Sequence, residues 1–392
     1  MTMAKVTKRT WTTGAGEART AWRLSYYDRD GQRHMKQFAR KADAEAERVL
    51  VEGQLATGLH VPDKASITVL DAAKAFLADF ADLVQSGKRE RSSLEAYRRQ
   101  VKWHLEPYAV AALKLSRLTG PDCVTYGRAL EASVSDAMAT RVFAMFRLIL
   151  KHAQGAGWIA SNPGTAVSIR TSGEREDEGV EIPPKAALKA LWEAAAKFDS
   201  TGRATAMVAL LMFGGLRASE LRGLPRRDLL LSESKVRVSQ RADNWQKIGT
   251  VKSKKSRRSV TLPPAAVVAL KRWVLAVPKN ELGLIFPTGA GTVESYANIY
   301  HRTWVPLMVA AGLADVEKRE GEDDYHRPHF ALHALRHVAV SLWIEQGASP
   351  KQVSTWAGHA SIQFTMDRYG HLWDDPVGAQ AIARGAERSI IG

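Results

Sequence analysis

Cysteine is almost absent: Cys123 is the single one in 392 residues. One thiol excludes an internal disulfide framework and a cysteine-rich zinc module. Long apolar runs are missing as well. Eighteen consecutive apolar residues occur nowhere, which argues against a membrane span. The opening stretch, MTMAKVTKRTWTT, is basic with no apolar run behind it, so no export signal is expected and the cytoplasm is the expected address. Nothing resembles a Gly-rich phosphate loop, so no nucleotide cofactor is expected. Acidic charge is the scarcer sign, with 41 Asp and Glu against 56 Lys and Arg, a net charge of +15. A field of that size attracts polyanions, nucleic acid first among them.

What is present divides into segments. At 25% charged and 45% hydrophobic the chain is an ordinary folded protein, long enough for two or three domains. Residues 18 to 40 alternate like strands: Trp22, Leu24 and Tyr26 against Arg23, Ser25 and Tyr27, with Asp30-Gly31 as a hairpin turn. A helix is predicted next, with Ala42, Ala46, Val49 and Leu50 along one face. This basic sheet-plus-helix module, residues 1–62, could read DNA or decorate the main fold. After the break at Val61-Pro62-Asp63, residues 66–170 read as all-helical. Val69, Ala73, Phe76, Leu77 and Phe80 form one apolar face. A second helix, capped by Ser92 or Ser93, carries Arg98, Arg99 and Lys102 beside Tyr97 and Trp103. Gly120-Pro121-Asp122 opens a third. A fourth ends at Gly155 and Gly157, and its Arg141, Arg147 and Lys151 suit either phosphate or plain solvent. Residues 171–184, polar and broken by Gly and Pro, read as a linker. The largest domain, 185–392, reads as mostly helical with one strand-like interruption from Asp228 to Pro263. The expected fold class is therefore mainly α with small β elements, in several domains.

Four fragments of that last domain carry chemistry. In FGGLRASELRGL, Arg217 and Glu220 stand three apart on a new helix, and arginine is suited to gripping two phosphate oxygens. On its own such a pair is usually a surface salt bridge. In TVKSKKSRRSVTLP, five of the seven residues from 252 to 258 are basic, so the run reads as a lysine-bearing hairpin tip. A lysine delivered to a phosphate site can protonate a leaving alkoxide, whereas most charge runs are only solvated turns. In LHALRHVAVSLWIEQG, His333, Arg336 and His337 fall at i, i+3 and i+4. No Glu follows the first His and an arginine lies between, so this cluster suits an anion and not a metal. In WAGHASIQFTMDRYGHL, Gly358-His359 precedes a short helix capped by Ser361 and ending at Tyr369. A tyrosine becomes a nucleophile only where cations surround it.

Taken in order, Gly-Leu-Arg-x-Ser-Glu-Leu, a basic hairpin, His-x-x-Arg-His, then Gly-His and a Tyr about ten residues on resemble the tyrosine recombinase (phage-type integrase) family. The likeness spans 185 to about 375, and the helical segment and basic N-terminal module before it are similar in outline. The resemblance implies that Arg217 and Arg336 clamp the scissile phosphate. It implies that His333 assists proton transfer, that His359 contacts the same phosphate, and that Tyr369 attacks to leave a 3′-phosphotyrosyl link. Lys252 would be the general acid, with Lys254 and Lys255 as alternatives. Glu220 and His337 would support the site. Lys254, Lys255, Arg257 and Arg258, with Arg98, Arg99 and Lys102, would bind DNA. Domains would be an arm-type DNA-binding module (1–62), a helical core-binding domain (66–170), a linker (171–184) and the catalytic domain (185–392). No metal and no cofactor is implied. Expected partners are double-stranded attachment sites, a homotetramer on DNA formed from a monomer in solution, and DNA-bending or excisionase accessory proteins, with no membrane. A type IB topoisomerase and a non-catalytic DNA-binding regulator are the alternatives. The tail beyond Tyr369 shows helical spacing at Ala379, Ile382 and Ala386, which suits packing on its own domain or on a neighbour.

Overall fold

A computed structural model of the chain describes residues 4–14, 16–28, 31–57, 66–170, 180–251, 257–318, 324–373 and 384–389. The chain divides into two compact units, Met1–Glu176 and Asp177–Gly392.

The first unit opens with an antiparallel sheet of β1 (Lys5–Thr12), β2 (Ala18–Tyr27) and β3 (Arg33–Phe38), in that order. β1 was not foreseen: its Lys and Thr residues carry no strong alternation, and pairing with β2 along its whole length holds it. Asp30 of the expected turn lies outside the described residues, while Gly31 takes the left-handed φ of 76° that such a turn needs. Helix α1 (Lys41–Thr57) covers one sheet face, closing Val51 and Leu55 over Leu24, Tyr26, Val6 and Phe38.

Four further helices follow: α2 (Val69–Gln85), α3 (Arg91–His104), α4 (Gly120–Ser133) and α5 (Asp136–Gly155). Their apolar faces meet in a core that includes Phe76, Val101, Tyr126, Phe143, Phe146 and Ile149. Thr119 and Asp122 form a reciprocal capping box on α4, with Pro121 in its first turn. The serine cap expected for α3 is overturned. Glu90 is its N-cap, and the first turn closes on the Glu90 carbonyl, so Ser92 and Ser93 lie inside the helix.

The second unit begins with α6 (Lys185–Phe198), the almost wholly buried α7 (Arg203–Met212) and the short α8 (Ala218–Arg222). Next come β4 (Leu229–Leu230), β5 (Lys235–Val238), β6 (Gln240–Ala242), β7 (Ile248–Thr250) and β8 (Arg258–Thr261). β4, β5 and β8 form one antiparallel sheet, and β6 pairs with β7 in another. Most of the basic run read as a hairpin tip, residues 252–256, lies outside the described residues; the strands on either side, β7 and β8, pair with β6 and β5. The chain continues through α9 (Pro264–Ala276), α10 (Tyr296–Ile299) and α11 (Val305–Ala310). An unforeseen hairpin of β9 (Ala314–Glu317) and β10 (Tyr325–Pro328) precedes α12 (Ala334–Glu345), α13 (Pro350–Ala357) and α14 (Ile362–Tyr369). Met207, Leu210, Val236, Leu270, Trp304 and Leu335 sit in the main core. Ile182, assigned to the linker from sequence, already packs on that core. The fold is thus mainly α with small antiparallel sheets, as the sequence pattern indicated. Among the described residues no helix is long and apolar enough to cross a membrane.

Candidate active site

The site is built where α7 stops. Past the Phe213 C-cap, Gly215 turns the chain with φ 60°, and a Cβ there would lie 2.8 Å from the Trp343 ring, so only glycine fits. The chain then turns outward at Arg217, the N-cap of α8. Glu220, one turn on, reaches back to accept the Arg217 backbone N–H and its Nη1, each at 2.8 Å. The Arg217–Glu220 pair is half of a larger structure.

The other half comes from β8. Arg258 places Nη1 and Nη2 on the two Glu220 carboxylate oxygens at 2.9 and 2.8 Å, and its Nε on the Trp356 carbonyl at 2.6 Å. Both side chains are buried, Arg258 at 1% and Glu220 at 3% exposure. Arg258 was expected on DNA, and this is a correction: its guanidinium is spent inside the protein. The strand alternation carried the signal, since Arg258 shares the inward parity of Val260. Arg257, next to it, is exposed. Burial alone would raise the Glu220 carboxyl, but the Arg258 hydrogen bonds and charge, joined by Arg217, outweigh it and hold the group at about 2.

Arg336 enters from the first turn of α12. It is buried, with Nη1 on the Gly215 carbonyl at 2.6 Å and Nη2 on that of Ala357. Burial, with Arg217 and Arg258 nearby, pulls its guanidinium down to about 9. Arg217 remains about one-third exposed and extends Nη2 to the Gly358 carbonyl at 3.2 Å. Three guanidiniums thus surround one carboxylate. The surplus is positive, fixed by buried hydrogen bonds, and half-open at Arg217, which is how a preorganised oxyanion site is made.

Gly358 ends α13 in the left-handed conformation, φ 65°, and a Cβ on it would lie 3.0 Å from Arg258 Nη1. That turn presents His359, which is buried and hydrogen-bonds Thr365 Oγ1 through Nδ1 at 2.8 Å. Burial, then Arg336 and Arg217, lowers His359 to about 3, so it is neutral in ordinary buffers. Thr365 was missed from sequence; it stands one turn before Tyr369 on the same face of α14, and the two are that helix's buried residues.

Tyr369 closes the site at 1% exposure, against Val340, Ile344, Val353 and Ala357. Its ring stacks on His359, centroids 6.2 Å apart at 9°. Its Oη meets Nδ1 of His337 at 2.5 Å. Burial raises the phenol, while Arg336, Arg368 and Arg217 pull against it. His337 is held at about 4 by burial, then by His333, Arg368 and Arg336. His333, still open to solvent at the start of α12, stands edge-on to His337 with centroids 5.0 Å apart, and partial desolvation by its neighbours, with Arg336 beside it, lowers it too. Arg217, Glu220, His333, Arg336, His337, His359 and Tyr369 are therefore brought together. Lys252, Lys254 and Lys255 lie outside the described residues. Arg98, Arg99 and Lys102 are exposed on α3 in the first unit, with Lys102 5.1 Å from the Trp103 ring and Arg98 paired to Glu95. Among the described residues no group of three or more His, Cys, Asp or Glu could hold a metal ion.

Comparison with known proteins matches residues 184–375 to the Phage integrase family. A Tyrosine recombinase XerC-like protein of Caldanaerobacter subterraneus subsp. tengcongensis is 23% identical over 376 residues, 88% of this chain and 90% of that protein. Among solved structures, the Tn1549 transposon integrase in complex with a circular intermediate DNA aligns with TM-score 0.65 and 17% identity, over 82% of this chain and all of that one. A lambda integrase tetramer bound to a Holliday junction aligns at 0.54 and 16%, over 90% and 95%. Residues 184–375, whose Arg, His and Tyr side chains converge on one site, belong to the phage integrase family of tyrosine recombinases.

Proposed function

We propose that this protein is a site-specific DNA recombinase that cuts and rejoins duplex DNA through Tyr369, moving a mobile element such as a phage or genomic island into and out of a chromosome. One observation carries the residue assignment: a phenol hydrogen-bonded to an imidazole sits beside a fixed surplus of guanidinium charge. Arg217 and Arg336 grip the non-bridging oxygens of the scissile phosphate. Glu220, locked by Arg258, sets the height of Arg217. His333 and His359 donate to the same phosphate. Tyr369 Oη attacks phosphorus, the 5′ oxygen leaves with a proton from Lys252, and the 3′-phosphotyrosyl bond stores the energy needed for rejoining. Tyr369 is covered here, so DNA binding must draw α14 outward. Its hold is light, since two of its eight residues are buried.

The domain reading divides the labour. Residues 185–392 carry the chemistry and 66–170 grip core DNA, with Arg98, Arg99 and Lys102 of α3 exposed for it. Residues 1–62 read a distal site. The sheet register supports that role, because Lys5, Arg9, Arg19, Arg23 and Arg33 all fall on the face that α1 leaves uncovered. Trp11 and Tyr27 stand exposed among them. Four subunits would act together on a Holliday junction, the assembly named for lambda integrase. DNA-bending or excisionase proteins would set direction, and the chain's tail would pack on its own domain or a neighbouring subunit.

The test is strand exchange. Covalent adducts trapped on a random-sequence duplex library yield the core site. Two duplexes carrying it should then give recombinants with the parent protein and none with Tyr369→Phe. Supercoil relaxation without exchange would indicate a topoisomerase instead, and tight binding with neither a regulator.

A further inference from the structure

Strands β1, β2 and β3 of the N-terminal sheet contain no Asp or Glu. On the side that α1 covers, Lys36 pairs with Glu47, and Arg48 of α1 pairs with Glu45 and Glu52. The open face has no such carboxylates, and the strand register sorts its side chains into rows. Two rows cross all three strands, Lys5–Ser25–Met35 and Thr7–Arg23–Gln37. The second passes through the middle of the middle strand.

That row differs from its surroundings. Ala21 and Ser25, the same-face neighbours of Arg23 on β2, are small, so no long side chain of its own strand crowds it. Arg23 is half-buried, and among the described residues its Nε has no hydrogen-bond partner. Arg9 instead lies over the Trp11 ring at 5.8 Å, and Arg19 meets Glu17 at 3.6 Å. Gln37 is exposed on the edge strand β3. Thr7 gives its hydroxyl to the Arg23 carbonyl at 3.4 Å, which leaves its methyl for a partner. A grip on phosphates alone would need only cations. A guanidinium fork, an amide and a methyl are the groups that tell base pairs apart in the major groove: Arg on guanine O6 and N7, Gln on adenine N6 and N7, Thr on the thymine methyl. The dimensions agree. Paired strands stand about 4.8 Å apart, so β1 to β3 span about 10 Å, against a major groove about 12 Å wide.

We propose that the Thr7–Arg23–Gln37 row determines sequence preference on the distal DNA, Arg23 reading a guanine and Gln37 a neighbouring adenine. Lys5, Arg9, Arg19 and Arg33 around it hold phosphates, which position the sheet without reading sequence. The inference rests on residues 1–62 reading a distal site and adds which side chains do the reading.

The experiment selects duplexes from a random-sequence library with the full-length protein, excess unlabelled core duplex being present to occupy the core-binding face. The parent should enrich a second motif, unlike the core, that holds a guanine beside an adenine. Arg23→Lys keeps the charge but loses the planar fork. Its preference for that guanine should fall roughly 5- to 150-fold, while the slope of log affinity against log salt keeps the parent's value. Gln37→Glu should change the preferred base from adenine to cytosine, because a carboxylate accepts from the cytosine amino group. A chain that had merely unfolded could not select a new base. The parent's motif from either variant, with at most a uniform change in affinity, overturns the row as the reader and leaves DNA binding by the module standing. Enrichment of the core motif alone by the parent overturns the distal reading of residues 1–62 itself.

Discussion

Arginines near the catalytic tyrosine and arginines on the N-terminal sheet have the same side chain but opposite surroundings. Arg258 and Arg336 are buried and donate hydrogen bonds to oxygens fixed by the fold. Arg9, Arg19 and Arg33 are exposed, and Arg19 has as its recorded partner the equally exposed Glu17 at 3.6 Å. Buried cations cost much to install and then cannot adjust, which is what a transition state of fixed geometry requires. Exposed cations cost little and move freely, which suits attraction to a phosphate backbone by counterion release. The difference teaches that charge count alone says nothing of role; burial separates chemistry from adhesion.

The sharpest way to break this contrast is to remove the carboxylate under the buried cations. Glu220→Ala leaves Arg258 buried without a counter-charge, so the second unit should lose about 3–5 kcal/mol of stability, read by denaturant unfolding. The pH dependence has a definite sign. The Glu220 carboxyl is depressed in the folded state, so its contribution is present above its unfolded value of 4.5 and is lost as pH falls through about 2. The parent should therefore show this acid limb and Glu220→Ala should lack that part of it. Equal stability of parent and variant at neutral pH would mean the buried cluster is not what fixes Arg217.

A smaller effect sharpens the other side. Replacing Arg9, Arg19 and Arg33 together by Gln should not alter folding by more than a few tenths of a kcal/mol each. Affinity for long attachment DNA should fall, and the slope of log affinity against log salt should flatten by about 0.9 per phosphate contact removed. Filter binding across a salt series measures it. An unchanged slope would remove the sheet from the DNA-binding surface.

Much of this was legible beforehand because it is local. Arg217 with Glu220, and His333 with Arg336 and His337, are set by helical spacing, and the order of the four fragments carried the family resemblance. The parts that were not legible depend on contacts between distant segments. Arg258 meets Glu220 across 38 positions, and His337 meets Tyr369 across 32. No period in the sequence encodes those meetings, though the inward parity of Arg258 on β8 hinted at one of them. The serine cap on α3 failed for a related reason. Capping preference is worth about 1 kcal/mol, and burial of Leu94 and Val101 decides where that helix begins.

The central claim is that Tyr369 is the residue joined to DNA. Trapped adducts, digested with nuclease and protease, should give one peptide bearing a nucleotide remnant, and fragmentation in the mass spectrometer should place the remnant on Tyr369. The exposed Tyr325 on β10 is the natural comparison. A remnant on Tyr325, or on any residue other than Tyr369, would contradict the account at its root.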